Sequence, residues 1–285
     1  MLTIIQRALL FILLSINSVL YAAPIETIKA IEKQYHGRAG ISVINTGNHQ
    51  NFEYRANERF PMCSTYKWLV AANILAEIQN QPLLADQIVH YNATDLIGYT
   101  PITSQSIDGG MSLQALGQAA VLSDNTAANL LINVLGGTAK VTAFARSAGD
   151  TQFRLDRLEP DVNTAIPNDL RDTTTPLAMS QLLDTIVFGS VLKPVYRQQL
   201  QQWMIDNNTG DHRIRAVVPK GLTVGDKTGT CAYGSTNDVG FIVLKDGSPI
   251  LISVFFTQLD QDTEPNDAAL QAIARVGLCA VSVGC

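Results

Sequence analysis

Strand-like patterns sit only near the two ends of this chain, and that placement limits its folds more than any other feature. Near the N-terminus GISVIN (40–45) and NFEYR (51–55) read as strands flanking the turn TGNHQ (46–50). Near the C-terminus the pattern returns over 222–230, 239–245 and 249–257, the last two joined by DGS (246–248). Residues from about 80 to 220 read as mostly helical. The clearest helices there are 112–122 and 126–135, the second stopped by Gly136 and Gly137. Further helices are expected over 25–35, over 265–276, and from near Pro61 through KWLVAANILAEIQ to about Gln79. The last of these has apolar residues on most sides, which predicts a buried central helix. Strands from both ends belong in one antiparallel sheet. The expected class is therefore α+β, with an all-α part (about 61–220) inserted into an α/β part (about 24–60 and 221–285). With 285 residues, 46% of them hydrophobic, the chain can bury a large core. No internal repeat is evident.

The first residues have a different logic. Arg7 is the only charge before Glu26, residues 8–20 are largely apolar, and small residues at Ala22 and Ala23 precede Pro24. This is the layout of a cleaved secretory signal over 1–23. Ser15, Asn17 and Ser18 interrupt an apolar run already short of the ~20 residues a membrane span needs. The expected product is residues 24–285, exported and free of the membrane, where cysteines can oxidise. The four cysteines, Cys63, Cys231, Cys279 and Cys285, permit disulfides without assigning them. A formal net charge of −5 gives no support to a nucleic-acid partner. The four histidines (His36, His49, His90 and His212) form no ligand-spaced set with the cysteines, so neither a metal nor another cofactor is expected.

Three short segments carry chemistry. Ser64 and Lys67 in FPMCSTYKWL (60–69) stand three apart, so an amine can sit beside a hydroxyl and activate it. The spacing alone says little, because Ser190 and Lys193 repeat it. Ser123-Asp124-Asn125 falls between two expected helices, where it could line a cleft or merely cap the second helix. Lys227-Thr228-Gly229 lies on the strand at 222–230, where an edge-strand lysine and a bulge glycine are the alternative. A long irregular stretch, 154–175, is rich in charged side chains and holds two prolines. Loops of that length are functional or disordered.

Taken in order, S-x-x-K, S-D-N and K-T-G are the motif set of the penicillin-recognising serine enzymes, and the chain resembles that family. Glu159-Pro-Asp-Val-Asn163 resembles the E-x-x-L-N motif of its class A β-lactamase branch, with Val162 in place of leucine. The surrounding FRLDRLEPDVNTAIPNDLRDTT is similar to the class A omega loop almost throughout. Arg157 and Asp172 match the ion pair that closes it. The resemblance covers essentially the whole chain after the signal.

That resemblance implies a fold and a set of roles. The fold is that of the β-lactamases and transpeptidases, formed as one catalytic unit. Ser64 would attack the lactam carbonyl, with its own backbone N–H and that of Thr230 as the oxyanion hole. Lys67 would orient Ser64 and relay protons, and either Lys67 or Glu159 acting through water would take the first proton. Ser123 would protonate the leaving nitrogen, polarised by Lys227, while Glu159 and Asn163 would hold the deacylating water. Asn125 would bind the substrate amide. Lys227, Thr228, Gly229 and Thr230 would line the carboxylate site, with Arg213 reaching it because the segment AYGSTND (232–238) supplies no arginine. Tyr99 matches an aromatic at the cleft mouth, with half-buried packing as the alternative. Cys63 and Cys231 match the disulfide of the class A carbapenemases. The resemblance thus implies a monomeric, periplasmic or secreted hydrolase of penicillins and cephalosporins, and of carbapenems too. The alternatives are a narrower-spectrum enzyme, or a penicillin-binding protein or sensor acylated without turnover.

Overall fold

The structure, a computed structural model, describes residues 23–284. In chain order, helix α1 covers 23–34, followed by strands β1 (Gly37–Asn45), β2 (Asn51–Tyr54) and the short β3 (Phe60–Pro61). Helix α2 (Lys67–Asn80) follows a 3-10 turn at Cys63–Tyr66. Short strands β4 (Ile88–Val89) and β5 (Met111–Ser112) precede helices α3 (Leu113–Val121), α4 (Asn125–Leu135) and α5 (Thr138–Ser147). Next come β6 (Thr173–Thr174), α6 (Pro176–Leu183) and α7 (Pro194–Ile205). Strands β7 (Thr223–Cys231), β8 (Ser235–Val243) and β9 (Pro249–Gln258) and helix α8 (Asp267–Ala280) complete the described chain.

The five long strands form one antiparallel sheet in the order β2-β1-β9-β8-β7. The two ends of the sequence meet in its middle, where Ser42 of β1 pairs with Ser253 of β9. This is the α+β arrangement expected from the strand pattern. Ile28 of α1 and Leu270 and Ile273 of α8 pack with Ile41, Val43, Val254 and Phe256 in one apolar core. A second core joins Trp68, Leu69 and Leu75 of α2 to the other helices and to Val239, Phe241 and Phe255 of the sheet. Because α2 runs through that core, its residues from Lys67 to Leu75 are all buried.

Several boundaries differ from the sequence expectation for physical reasons. Pro61 does not lead into a helix. It pairs with Thr173 as part of a two-residue ribbon, Met62 N donates to Asp172 O, and Cys63 takes a left-handed φ of 49°, outside the range of an α-helix interior. Strand β8 starts at Ser235 and not at 239. The expected strand left out the polar residues Thr236, Asn237 and Asp238, yet they are buried and paired with β7. The region 80–220 is less helical than its composition suggests, since 92–110 holds only 3-10 turns and bends. Gly136, at φ 95°, ends α4 as a left-handed cap. The leader expected over 1–23 lies, apart from residue 23, outside the described residues, as does Cys285.

Candidate active site

Ser64 lies in the 3-10 turn and Lys67 opens α2. Residues three apart eclipse in 3-10 geometry, so the two share one side of the chain more closely than in an α-helix. The Lys67 ammonium is fully buried. It lies 2.9 Å from Glu159 Oε1, donates to Ser123 O at 3.1 Å, and donates to Asn125 Oδ1. Among the described residues it makes no hydrogen bond to Ser64, which stands three residues before it. Burial pushes the Lys67 ammonium below the ordinary lysine value, and Glu159 beside it pulls the other way.

The SDN segment acts both as cap and as wall. Asp124 caps α4 through Ala127 N at 2.9 Å and also accepts from Ile102 N and Thr103 N. That frees Ser123 and Asn125 to face the two lysines. Ser123 has φ 74°, a costly value for a non-glycine residue, and its hydroxyl accepts from Lys227 Nζ. Asn125 N donates to Tyr99 O at 2.9 Å. The Tyr99 side chain is 57% exposed, which removes half-buried packing as its explanation.

Lys227 sits on β7, the edge strand of the sheet, but it is fully buried and therefore cannot guard that edge against aggregation. Burial and the nearby Lys67 charge push its ammonium well below the ordinary lysine range, opposed by the buried carboxyls of Asp226 and Asp238. Gly229 marks no bulge, for it pairs in register with Asn237. A Cβ there would stand 2.6 Å from Met62 O and 2.9 Å from Thr65 Cγ2, so only glycine lets β7 approach the nucleophile turn. Thr228 Oγ1 lies 2.6 Å from Thr209 Oγ1, while Thr230 is exposed and accepts from Arg213 Nη2 at 2.7 Å. Arg213 is only 6% exposed. It also donates to Gly229 O and Asn237 O and pairs with Asp267 at 2.8 Å, so it is no plain surface charge.

Glu159 and Asn163 are joined by a hydrogen bond from Asn163 Nδ2 to Glu159 Oε2. Their loop is closed by Arg157 Nε donating to Asp172 Oδ2 at 2.6 Å. Asp172 Oδ1 also accepts from the backbone N–H groups of Asp156 and Arg157. Ala232 N donates to Asn163 O at 3.2 Å, tying the loop to the end of β7. Cys63 and Cys231 form a disulfide with Cα atoms 5.6 Å apart, within the ordinary range. It links the residue before Ser64 to the residue after Thr230. Cys279 is also disulfide-bonded.

The structure adds residues that the motifs did not flag. Asn129 grips Glu159 through two hydrogen bonds, Nδ2 to Glu159 O and Glu159 N to Oδ1, at 2.9 and 3.0 Å. It stands four residues after Asn125 on α4, a spacing that puts both on one helix face and could have identified it. Tyr66 Oη donates to Glu159 Oε1 at 3.3 Å, and burial with that carboxylate pushes its hydroxyl well above the usual tyrosine value. Asn237 Nδ2 donates to Pro61 O and Met62 O, holding the nucleophile turn against the sheet. Behind Lys227, Asp226 is held by Arg215 Nε at 2.5 Å and Asn207 Nδ2 at 3.0 Å. The out-of-order pair lies elsewhere: Lys193 donates to Gln79 O at the end of α2. Among the described residues no cluster of three or more His, Cys, Asp or Glu could hold a metal ion.

Lys67, Ser123, Glu159, Asn163 and Lys227 therefore converge from four separate stretches of chain, with Ser64 in the turn that leads into Lys67. The sequence profile of the β-lactamase enzyme family matches residues 23–282. β-Lactamase CTX-M-97 of Escherichia coli is 47% identical over 252 residues, covering 88% of this chain and 87% of that protein. β-Lactamase OXY-2 of Klebsiella oxytoca is 45% identical over 247 residues, covering 86% and 85%. The crystal structure of a β-lactamase from Desulfarculus baarsii superposes with a TM-score of 0.90 at 43% identity, covering 92% of this chain and 98% of that one. The last common ancestor of Gram-negative bacteria class A β-lactamase gives 0.87 at 46% identity, covering 91% and 99%. The chain belongs to the β-lactamase enzyme family, in its class A branch.

Proposed function

We propose that this β-lactamase opens penicillins, cephalosporins and carbapenems through an ester on Ser64, which a water activated by Glu159 then hydrolyses. The observation that carries this reading is the buried 2.9 Å contact between Lys67 Nζ and Glu159 Oε1, with Lys67 three residues after Ser64 and hydrogen-bonded to Ser123 O. In the first half, Ser64 Oγ bonds to the lactam carbonyl carbon and its proton passes to the Lys67–Glu159 pair. The C–N bond then breaks, and Ser123, polarised by Lys227, gives the nitrogen a proton. The proton held by the Lys67–Glu159 pair passes back to Ser123 through Lys67, leaving Glu159 free to act as a base. The backbone N–H groups of Ser64 and Thr230 stabilise the oxyanion, each donor worth about 3 kcal/mol in the transition state. In the second half, Glu159 takes a proton from a water aligned with Asn163. The water oxygen bonds to the ester carbon, and Ser64 leaves with a proton.

The substrate carboxylate lies against Thr228 and Thr230 beside Gly229, with Lys227 and Arg213 supplying charge. Asn125 hydrogen-bonds the substrate amide, and Tyr99 flanks the cleft mouth. Carbapenem turnover is supported by the disulfide between Cys63 and Cys231 and by Thr230 held on Arg213. The leader pattern supports export to the periplasm or medium as a monomer of residues 24–285, folded as one catalytic unit. Among the described residues no helix is long and apolar enough to cross a membrane.

The test is hydrolysis of a chromogenic cephalosporin, a penicillin and a carbapenem by wild type and Ser64→Ala. Multiple turnovers lost in Ser64→Ala are expected. A single burst from wild type would mark a penicillin-binding protein instead. A carbapenem rate near zero under oxidising conditions would confine the enzyme to a narrower spectrum.

A further inference from the structure

Between the loop that carries Glu159 and residues 58–61 and 257–259 lies a cavity of about 740 Å³, the size of sites that hold drug-sized ligands. Pro61, Val162, Ile166 and Leu170 give it an apolar lining, and Ile166, Leu170 and Leu259 are 47%, 55% and 87% exposed at its edge. Its charged lining is unbalanced, with four guanidinium groups against the carboxylates of Glu58 and Asp169.

Three of those arginines are occupied. Arg38 pairs with Glu58 at 2.7 Å and lies 3.9 Å from the Phe60 ring centroid. Arg157 pairs with Asp172, and Arg171 with Asp169, each at 2.6 Å. Arg59 differs: among the described residues it donates only to neutral oxygens, Gln152 O, Gln152 Oε1 and Thr173 Oγ1. Burial and the neighbouring charges of Arg154 and Arg146 push its pKa below the ordinary arginine value, against the opposing pull of Asp150 and Asp156, neither of which forms an ion pair with it. A half-buried guanidinium of this kind, beside an apolar hollow, fits a ligand with one anionic head and an apolar tail.

We propose that this cavity binds an amphipathic monoanion, with its head on Arg59 and its tail against Pro61, Val162, Ile166 and Leu170. Val162 lies between Glu159 and Asn163 in sequence, and Arg157 closes the same loop. Occupancy is therefore coupled to the deacylating half of the reaction. That coupling rests on the role proposed for Glu159, whereas the binding does not.

The probe is decanoate, titrated below its micelle-forming concentration into the purified protein and followed by calorimetry. Saturable one-to-one binding is expected, weakened at least tenfold in Arg59→Gln and in Ile166→Glu. The second variant adds a repelling charge at the cavity edge and leaves Arg59's hydrogen bonds intact. Arg197→Gln, which removes a guanidinium outside this cavity, should bind like wild type. Decanol, which lacks the charge, should bind at least tenfold more weakly than decanoate. For a penicillin, saturating decanoate should lower kcat and leave KM unchanged. Absence of saturable heat, or wild-type affinity in both Arg59→Gln and Ile166→Glu, would overturn the site. A rise in KM would place decanoate in the active site instead. Binding with unchanged kcat would overturn the coupling alone.

Discussion

Lys67 Nζ and Glu159 Oε1 stand 2.9 Å apart with both side chains buried, and each is the other's only ion-pair partner among the described residues. A buried pair of this kind can exchange one proton and remain electrically neutral. That suits a step in which a proton must leave Ser64 and later return. Glu159→Gln keeps the size of the side chain and removes its ability to accept a proton. Acylation should then outrun deacylation, with turnover down by about 10²–10⁴. Intact-protein mass spectrometry after mixing with a penicillin should show a persistent adduct, and unimpaired turnover would refute the role.

The lowered pKa of Lys227 sets a second expectation. A lysine pushed down by burial loses its positive charge at a lower pH than the ordinary 10.5. Affinity for a carboxylate-bearing β-lactam should therefore fade on the alkaline side before an exposed lysine would titrate. Arginine keeps its charge throughout that range. In Lys227→Arg the alkaline limb of kcat/KM should move to higher pH, even if the plateau is lower. A pH profile with the same limb in both proteins would mean that another group titrates.

Much of this arrangement is legible in the sequence, and what is not has a physical reason. Ser64, Lys67, Ser123, Lys227 and Glu159 are visible because reactive groups recur in short motifs whose spacing survives in local structure. The strands at the two ends foretell the central pairing of β1 with β9, since both are apolar enough to need cover on two faces. Strand β8 begins earlier than expected, because the polar side chains of Thr236, Asn237 and Asp238 break the apolar strand pattern although they are buried against β7. Asn237 acts through backbone atoms distant in sequence, and no local pattern records such bonds, whereas Asn129 betrays itself only by sharing a helix face with Asn125. The 3-10 turn at Ser64 follows from the positive φ of Cys63, a choice fixed by tertiary contacts rather than by propensity.

Asp172 offers a test of how the Glu159 loop is held. Its carboxylate accepts from Arg157 Nε and from two backbone N–H groups, and it is almost wholly buried. Asp172→Asn keeps the shape but leaves the Arg157 charge without its partner and turns one acceptor into a donor. Breaking a pair this buried should cost about 2–3 kcal/mol. Thermal unfolding should show a lower Tm, and deacylation should slow more than acylation because the loop carries Glu159 and Asn163. An unchanged Tm would show that the loop is held by its other contacts.

The disulfide between Cys63 and Cys231 spans a sequence separation of 168. Closing so long a loop restricts the unfolded chain by roughly 5 kcal/mol in the entropy model, which is an upper bound in practice. The Cys63→Ser and Cys231→Ser double variant should unfold at lower denaturant concentration, and reductant should destabilise wild type more than the variant, which keeps the Cys279 bridge. Equal denaturation midpoints for the two oxidised proteins would assign the bridge a local role only.

Gly229 tests the contact between strand and nucleophile most directly. Its backbone lies so close to the 3-10 turn that a methyl group would meet Met62 O at 2.6 Å and Thr65 Cγ2 at 2.9 Å. Neither neighbour is the free end of a flexible side chain. Met62 O is also fixed by Asn237 Nδ2, and its residue is joined to Asp172 through its N–H. In Gly229→Ala the turn and β7 must therefore separate by several tenths of an ångström, at a cost of about 1–3 kcal/mol. Ser64 and Thr230 stand on opposite sides of that seam, so the two proposed oxyanion donors would move apart together. Activity should fall by more than the drop in Tm alone accounts for, and kcat should fall more than affinity for substrate. Gly229→Ala with wild-type kcat would show that the seam yields without disturbing the site.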